Sequence, residues 1–200
     1  MSGLLQPPQR LGGDGRREDE ALIEIAKLCD GLRTISYGIV QPGKPTHGGV
    51  PIVRVNNFRG NSLSLEDALL VDPDIERKFV RSRPKRDDVL ITLVGSMGQV
   101  AISPPELEGW NLARAVGLIP TNDRHKAQWI FYALQMPEAQ HYIQSRANTT
   151  VQATFNLGDL AALKLPFPDR STREAIIHVL SALDDKIELN LRMNETLEQM

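Results

Sequence analysis

Arg54, Asn56, Asn57 and Arg59 put two guanidinium forks and two primary amides within six consecutive positions. These are side chains that read nucleic-acid base edges. Arg donates two parallel hydrogen bonds to guanine, Asn pairs with adenine, and each good pair discriminates by about 1–3 kcal/mol. A second group, Arg81, Arg83, Lys85 and Arg86, stands in the stretch Arg77–Arg86, which holds six cations and no acid. Cations at that density suit phosphate anchoring; a solvated charged turn is the plain alternative. Ser96 lies between Gly95 and Gly98, where a backbone lacking Cβ atoms either approaches a ligand closely or simply turns tightly. Asn111, Arg114 and the acid-free run Asn148, Thr149, Thr150 and Gln152 add further groups of the same kinds. Their alternative role is to cap neighbouring backbone. The expectation rests on the face these residues share more than on any one of them.

Other chemistries have less to stand on. A net charge of −2 does not announce an anionic partner, but the charge is unevenly placed. Residues 31–60 carry Arg33, Lys44, Arg54 and Arg59 without an acid, while acids gather in 14–30, 66–76 and the final helix. A basic middle between acidic ends binds phosphate without a high overall pI. Cys29 is the single cysteine, which excludes an intrachain disulfide and a multi-cysteine zinc site. His47, His125, His141 and His178 lack metal-ligand spacing. Gly38-x4-Gly43-Lys44 approaches a phosphate-binding P-loop, but Pro45 stands where a magnesium-binding Ser or Thr belongs and no helix pattern follows. Nothing resembles a Ser/His/Asp set, and paired acids such as Asp87-Asp88 and Asp184-Asp185 are common on solvated surfaces. No catalytic residue, metal ligand or cofactor site is therefore expected. The polar start MSGLLQPPQRLGGDGRRE has no secretory apolar region and no run reaches membrane-span length, so a cytoplasmic protein is expected.

The elements that must position these residues follow from pattern. Residues 1–17 are rich in Gly, Pro, Gln and Arg and are expected to stay mobile. Leu22, Ile25, Ala26 and Cys29 predict a short docking helix over Glu18–Leu28, stopped by Asp30-Gly31. Strands are expected over Thr34–Val40, Val50–Asn56, Asp88–Val94, Gln99–Ile102 and Ala115–Ile119. On the second, Arg54 and Asn56 would share a polar face. Ala127–Tyr142 is helical in pattern, ended or kinked at Pro137, and Asn156 caps a short turn over Leu160–Leu163. Strands followed by helices indicate an α+β domain with a mixed, largely antiparallel sheet over 18–168.

Lys164–Pro168 then leads stiffly into a long helix, with Ser171 and Glu174 forming a capping box at its start. Ile176, Leu180, Leu183, Ile187, Asn190, Asn194 and Leu197 recur at alternating spacings of four and three, a coiled-coil seam. Such a helix reaches roughly 45 Å, more than one face of a small domain requires. Its seam is expected to meet another long helix. Asn190 and Asn194 either select one register inside that seam or face water after it rotates. The pattern reaches Met200 without a terminator, so the helix is expected to continue.

Six segments in order resemble one half of the DNA-specificity subunit of type I restriction-modification systems. They are YGIVQPG (37–43), PIVRVNNF (51–58), DDVLITLVGSMGQVAI (87–102), NLARAV (111–116), QATFNLGDLAALKLPFP (152–168) and LDDKIELNLRMNETLE (183–198). Relatives usually carry Glu-Gln soon after the prolines, where this chain has Arg173-Glu174. The resemblance implies a target-recognition domain that reads one part of a split site in double-stranded DNA, and a spacer helix, 169–200, that holds methyltransferase (modification) subunits. The restriction subunit would join through the complex, and S-adenosylmethionine, ATP and magnesium would belong to the partner subunits. It also implies either a half-subunit forming a homodimer through the helix or the front half of a longer chain. A rival reading is an assembly or decoy protein that binds partner subunits through the helix without reading DNA.

Overall fold

The computed structural model describes residues 21–147 and 154–198. In chain order its elements are β1 (Leu22–Glu24), α1 (Ile25–Leu28), β2 (Ser36–Tyr37), β3 (Val50–Val53), β4 (Phe58–Arg59), β5 (Ser62–Leu63), β6 (Leu69–Val71) and α2 (Pro73–Glu76). Then follow β7 (Val89–Thr92), β8 (Val100–Ile102), β9 (Asn111–Leu112), β10 (Val116–Ile119), α3 (Arg124–Leu134), α4 (Pro137–Ser145), α5 (Leu157–Ala162), β11 (Lys164–Pro166) and α6 (Arg170–Glu198). The fold is α+β, and the long C-terminal helix is present.

The central sheet is antiparallel, in the order β2-β10-β7-β8. Val89, Leu90, Ile91 and Thr92 are all buried because this sheet is covered on both faces, which is why the strand reads as a continuous apolar run. Val89 and Ile91 face a core built with Ile130, Leu134 and Ile143 of α3 and α4. Leu90 points the other way, to Val53, Phe58, Leu112 and Leu118. Fully burying side chains of this size contributes about 1.5–3 kcal/mol each, so these two clusters are the main hold on the sheet. A three-stranded sheet, β6-β3-β9, carries a third cluster of Ile39, Ile52 and Val71.

Several expectations are corrected. The predicted docking helix is strand β1 followed by one helical turn: Leu22–Glu24 pairs antiparallel with Lys164–Pro166. That pairing also makes the supposedly stiff link before the long helix a strand, with Pro166 at its end, where its missing N–H is tolerated. Thr34–Val40 shortens to β2, because the chain leaves β10 after Tyr37 and Ile39 bridges to Ala113 instead, with Gly38 packed so close to Leu112 that a Cβ would sit 1.8 Å from that carbonyl oxygen. The strand predicted through Asn56 stops at Val53, and a 3-10 turn over Val55–Asn57 replaces its end. Pro137 opens α4 at its first position, as its fixed φ and absent donor favour.

The long helix starts two residues earlier than the capping box placed it, with Asp169 rather than Ser171 as its cap. Asp169 Oδ1 accepts the Thr172 backbone N–H at 3.0 Å, and its oxygens also take the Ser171 and Thr172 hydroxyls at 2.6 Å each. Those hydroxyls, Ser171 first, hold the Asp169 carboxyl well below the usual carboxylate range. Glu174 pairs with Arg170 at 2.7 Å instead of reaching back to Ser171. An aspartate competes well with serine at this position and adds a negative charge at the helix N-terminus.

Candidate nucleic-acid interface

Three short segments run in the same direction side by side. Ile52 and Val53 of β3 pair parallel with Asn111 and Leu112 of β9, and Ile39 bridges parallel to Ala113. Ala113 N–H donates to the Val53 carbonyl and Arg114 N–H to the Ile39 carbonyl, both at 2.9 Å. The chain therefore emerges three times on the same side, presenting exposed Val40 and Gln41, then Arg54 with exposed Asn56, then exposed Arg114. Gly38 makes this close approach possible, since a Cβ there would meet the Leu112 backbone.

At the opposite end of the same strip lies the basic segment. Its 3-10 stretch, Arg77–Ser82, packs on β2 and β9, and Ser36 Oγ donates to the Arg81 carbonyl at 3.4 Å. A buried polar network pins it. Asn111 Nδ2 donates to Glu76 Oε1 at 2.7 Å and to the Phe79 carbonyl at 3.0 Å. Asn111 Oδ1 accepts the Ser82 hydroxyl at 2.7 Å and the Leu112 N–H at 2.8 Å. Arg83 closes the set with a fork onto Glu76, at 2.7 and 2.6 Å. Arg83's hydrogen bonds, against burial and with help from Asn111, hold the Glu76 carboxyl below its ordinary range. A second anchor is Asp88, fully buried, which accepts the Arg33 fork at 2.6 and 2.7 Å, the Lys85 N–H at 2.7 Å and the Thr121 N–H at 3.0 Å.

These anchors decide which candidate side chains remain available. Asn57 is 3% exposed, and its amide is consumed by the Arg54 N–H and the Ser64 and Glu66 carbonyls. Asn111 is fully buried. Both are corrected from base readers to scaffold: an amide whose donors and acceptor are satisfied inside the fold cannot also reach a base edge. Arg83 is likewise committed to Glu76, Arg86 lies 3.7 Å from Asp87, and Arg124 pairs with Asp87 at 2.8 Å. Arg54 donates to the Asp67 carbonyl at 2.9 Å, and Arg59 folds back onto the Asn56 and Phe58 carbonyls at 2.7 and 3.1 Å. Among the described residues, no ion pair or side-chain hydrogen bond engages the charged ends of Lys44, Lys78, Arg81, Lys85 or Arg114. Arg81, Lys85 and Arg114 are exposed.

Ser96 is exposed at the tip of a self-supporting turn, where Gly95 and Gly98 have φ of 76° and 85° and the Gly98 N–H returns to the Thr92 carbonyl at 3.0 Å. Asn148, Thr149, Thr150 and Gln152 lie outside the described residues. Two surface residues escaped sequence reasoning. Tyr37, on β2 near Arg81, is 42% exposed, and Asn61 sits in the β4–β5 turn just past Arg59. For Asn61 the signal was present in the Gly60-Asn61 pair; an aromatic in a predicted strand carries none. The strip from Asn111 to Arg114 is about 10 Å long at 3.3 Å per residue, close to the ~12 Å width of a duplex major groove. Free cations flanking a strip of that size are suited to bind backbone phosphates.

Among the described residues no group of His, Cys, Asp or Glu is arranged to hold a metal, and no helix is long and apolar enough to cross a membrane. Along α6 the seam residues Ile176, Leu183, Ile187, Asn190, Asn194 and Leu197 are exposed, Leu180 is half-buried, and Ile177 instead packs into the core.

Residues 40–199 match the family model for the Type I restriction modification DNA specificity domain. The EcoBI specificity subunit of the type I restriction enzyme of Escherichia coli is 28% identical over 167 residues, 83% of this chain and 35% of that protein. The HindI specificity subunit of Haemophilus influenzae is 38% identical over 77 residues, 36% of this chain and 16% of that protein. The HsdS subunit of Thermoanaerobacter tengcongensis aligns with a TM-score of 0.59 at 16% identity, over 92% of this chain and 42% of that one. A chain from a structure describing complex assembly and conformational transition of the type I R-M system aligns with a TM-score of 0.61 at 15% identity, over 92% of this chain and 43% of that one. These structural likenesses establish a common fold, and the chain spans about a third of the Escherichia coli relative. With well over half of its length matched by one family model, the chain belongs to the type I restriction-modification DNA specificity domain family.

Proposed function

We propose that this chain reads one part of a split sequence in double-stranded DNA and, through α6, positions methyltransferase and restriction subunits over it. The observation that carries this reading is the placement of free cations, Arg81 with Lys85 at one end and Arg114 at the other beside Arg54 and exposed Asn56, about a strip whose Asn111 pins the basic segment. Phosphate contacts fix orientation, and the amides and forks between them read bases. Methyl transfer and cleavage belong to the partner subunits, as do S-adenosylmethionine, ATP and magnesium.

The seam of α6 supports assembly. Ile176, Leu183, Ile187 and Leu197 are 38–65% exposed, and apolar residues at heptad spacing with this exposure favour pairing with another long helix. A second copy of the chain would serve, giving a dimer that reads two half-sites.

Charge reversal of Arg81, Lys85 and Arg114 to Glu tests the reading. Duplex affinity should fall steeply, and the salt dependence of log K should flatten by roughly 0.9 for each phosphate that is no longer neutralised, with oligomer mass unchanged. Unaltered affinity would instead favour a protein that only assembles partners.

A further inference from the structure

Two side-chain hydrogen bonds from separate elements of the globular part meet on one carboxylate of α6. Asp184 Oδ2 accepts the Tyr132 hydroxyl at 2.9 Å and Oδ1 accepts Asn61 Nδ2 at 3.3 Å. Tyr132 belongs to α3. Asn61 sits in the β4–β5 turn, two residues past Arg59. Burial, followed by the bond to Asp184, raises the Tyr132 hydroxyl above its ordinary range, so it stays a donor. Ile177, 5% exposed, seats the same helix face two turns earlier. An apolar seat alone leaves the helix free to rock about it. A carboxylate tied to two separate elements removes that freedom.

Asp184 is also the last hold. It is half-buried, whereas the described side chains beyond it are exposed. The helix runs on fourteen residues to Glu198, about 21 Å at 1.5 Å per residue. A swing of about 10° at Asp184 displaces that end by about 4 Å, more than the ~3.4 Å between successive bases along a strand. Resting on the DNA-reading function proposed above, we infer that Asp184 is a positioning residue that fixes, through Tyr132 and Asn61, the bearing of α6 and so restricts the spacing accepted between two half-sites.

Spin labels at Glu106 and Asn194, in a Cys29→Ser background diluted with unlabelled chain, report that bearing without DNA. The distance distribution should be narrow in the parent, broaden about twofold in Asp184→Ala, broaden less in Tyr132→Phe, and stay narrow in Asp184→Asn, whose amide oxygen still accepts from Tyr132. In the assembled methyltransferase, duplexes with the parental spacer should be preferred over spacers one base pair longer or shorter by about tenfold, and Asp184→Ala should cut that preference to about threefold with the half-site bases unchanged. An unbroadened distribution in Asp184→Ala overturns the inference. A broadened distribution with the parental spacer preference intact overturns the link to spacing. A parent assembly that methylates no specific sequence overturns the DNA reading instead, while the label distances still judge Asp184's hold on the helix.

Discussion

The parallel strip and the distal half of α6 treat their polar and apolar groups in opposite ways. On the strip, Asn111, Glu76, Ser82 and Arg83 satisfy one another inside the fold, and the charged side chains that escape are cations. Beyond Asp184 the helix leaves Ile187, Leu189, Leu191, Met193 and Leu197 at 49–65% exposure, with Arg192 and Glu188 paired to each other. Groups whose needs are met within the chain are scaffold, and groups left unmet indicate what the chain binds. The charge left unmet on the strip is positive, and the rod beyond Asp184 leaves a run of apolar surface.

Breaking the strip from within should have the largest effect. Asn111→Ala deletes four buried hydrogen bonds, to Glu76, the Phe79 carbonyl, the Ser82 hydroxyl and the Leu112 N–H; Glu76 keeps the Arg83 fork and Ser82 keeps the Phe79 carbonyl, so each lost bond costs about 0.5–1.5 kcal/mol. A drop of about 3 kcal/mol in denaturant unfolding is expected, with the far-UV signal of α6 retained. Breaking the rod should leave that stability alone. Leu183→Asp with Ile187→Asp is expected to weaken self-association about 100-fold, near 2.7 kcal/mol, in sedimentation at micromolar concentration.

Acid sharpens the contrast further. Glu76 has a folded pKa below its ordinary 4.5, so its contribution is fully present above that value and is lost as pH falls through the lower folded value. Glu76→Gln should be less stable than the parent at pH 7 by about 1–2 kcal/mol, with the difference shrinking below about pH 4. The smallest effect belongs to the free cations: Arg114→Ala should change stability by under about 0.5 kcal/mol while weakening duplex binding.

The legible part of the molecule was the part encoded by local repetition. The apolar runs of β7 and β10 and the heptad spacing of α6 follow from side-chain periodicity. Asn57 and Asn111 show where that reading stops. Their residue type fits a base edge and a buried hub equally well, and only the packing of Glu76, Ser82 and the 64–66 carbonyls around them decides. Arg33's fork on Asp88 spans 55 positions, and the antiparallel pairing of β1 with β11 joins opposite ends of the globular part. No local pattern encodes pairings of that range. The helix start shifted because Asp169 offered a stronger cap than Ser171, a competition settled within two residues.

The central claim is that the globular part carries the sequence preference and the rod carries the assembly. Exchanging residues 34–160 for those of a relative with a different target, keeping α6, and sequencing the methylated sites of the host tests it directly. The account predicts that one half of the split motif changes to the donor's bases while the spacer is kept. An unchanged motif in the exchanged chain would contradict it.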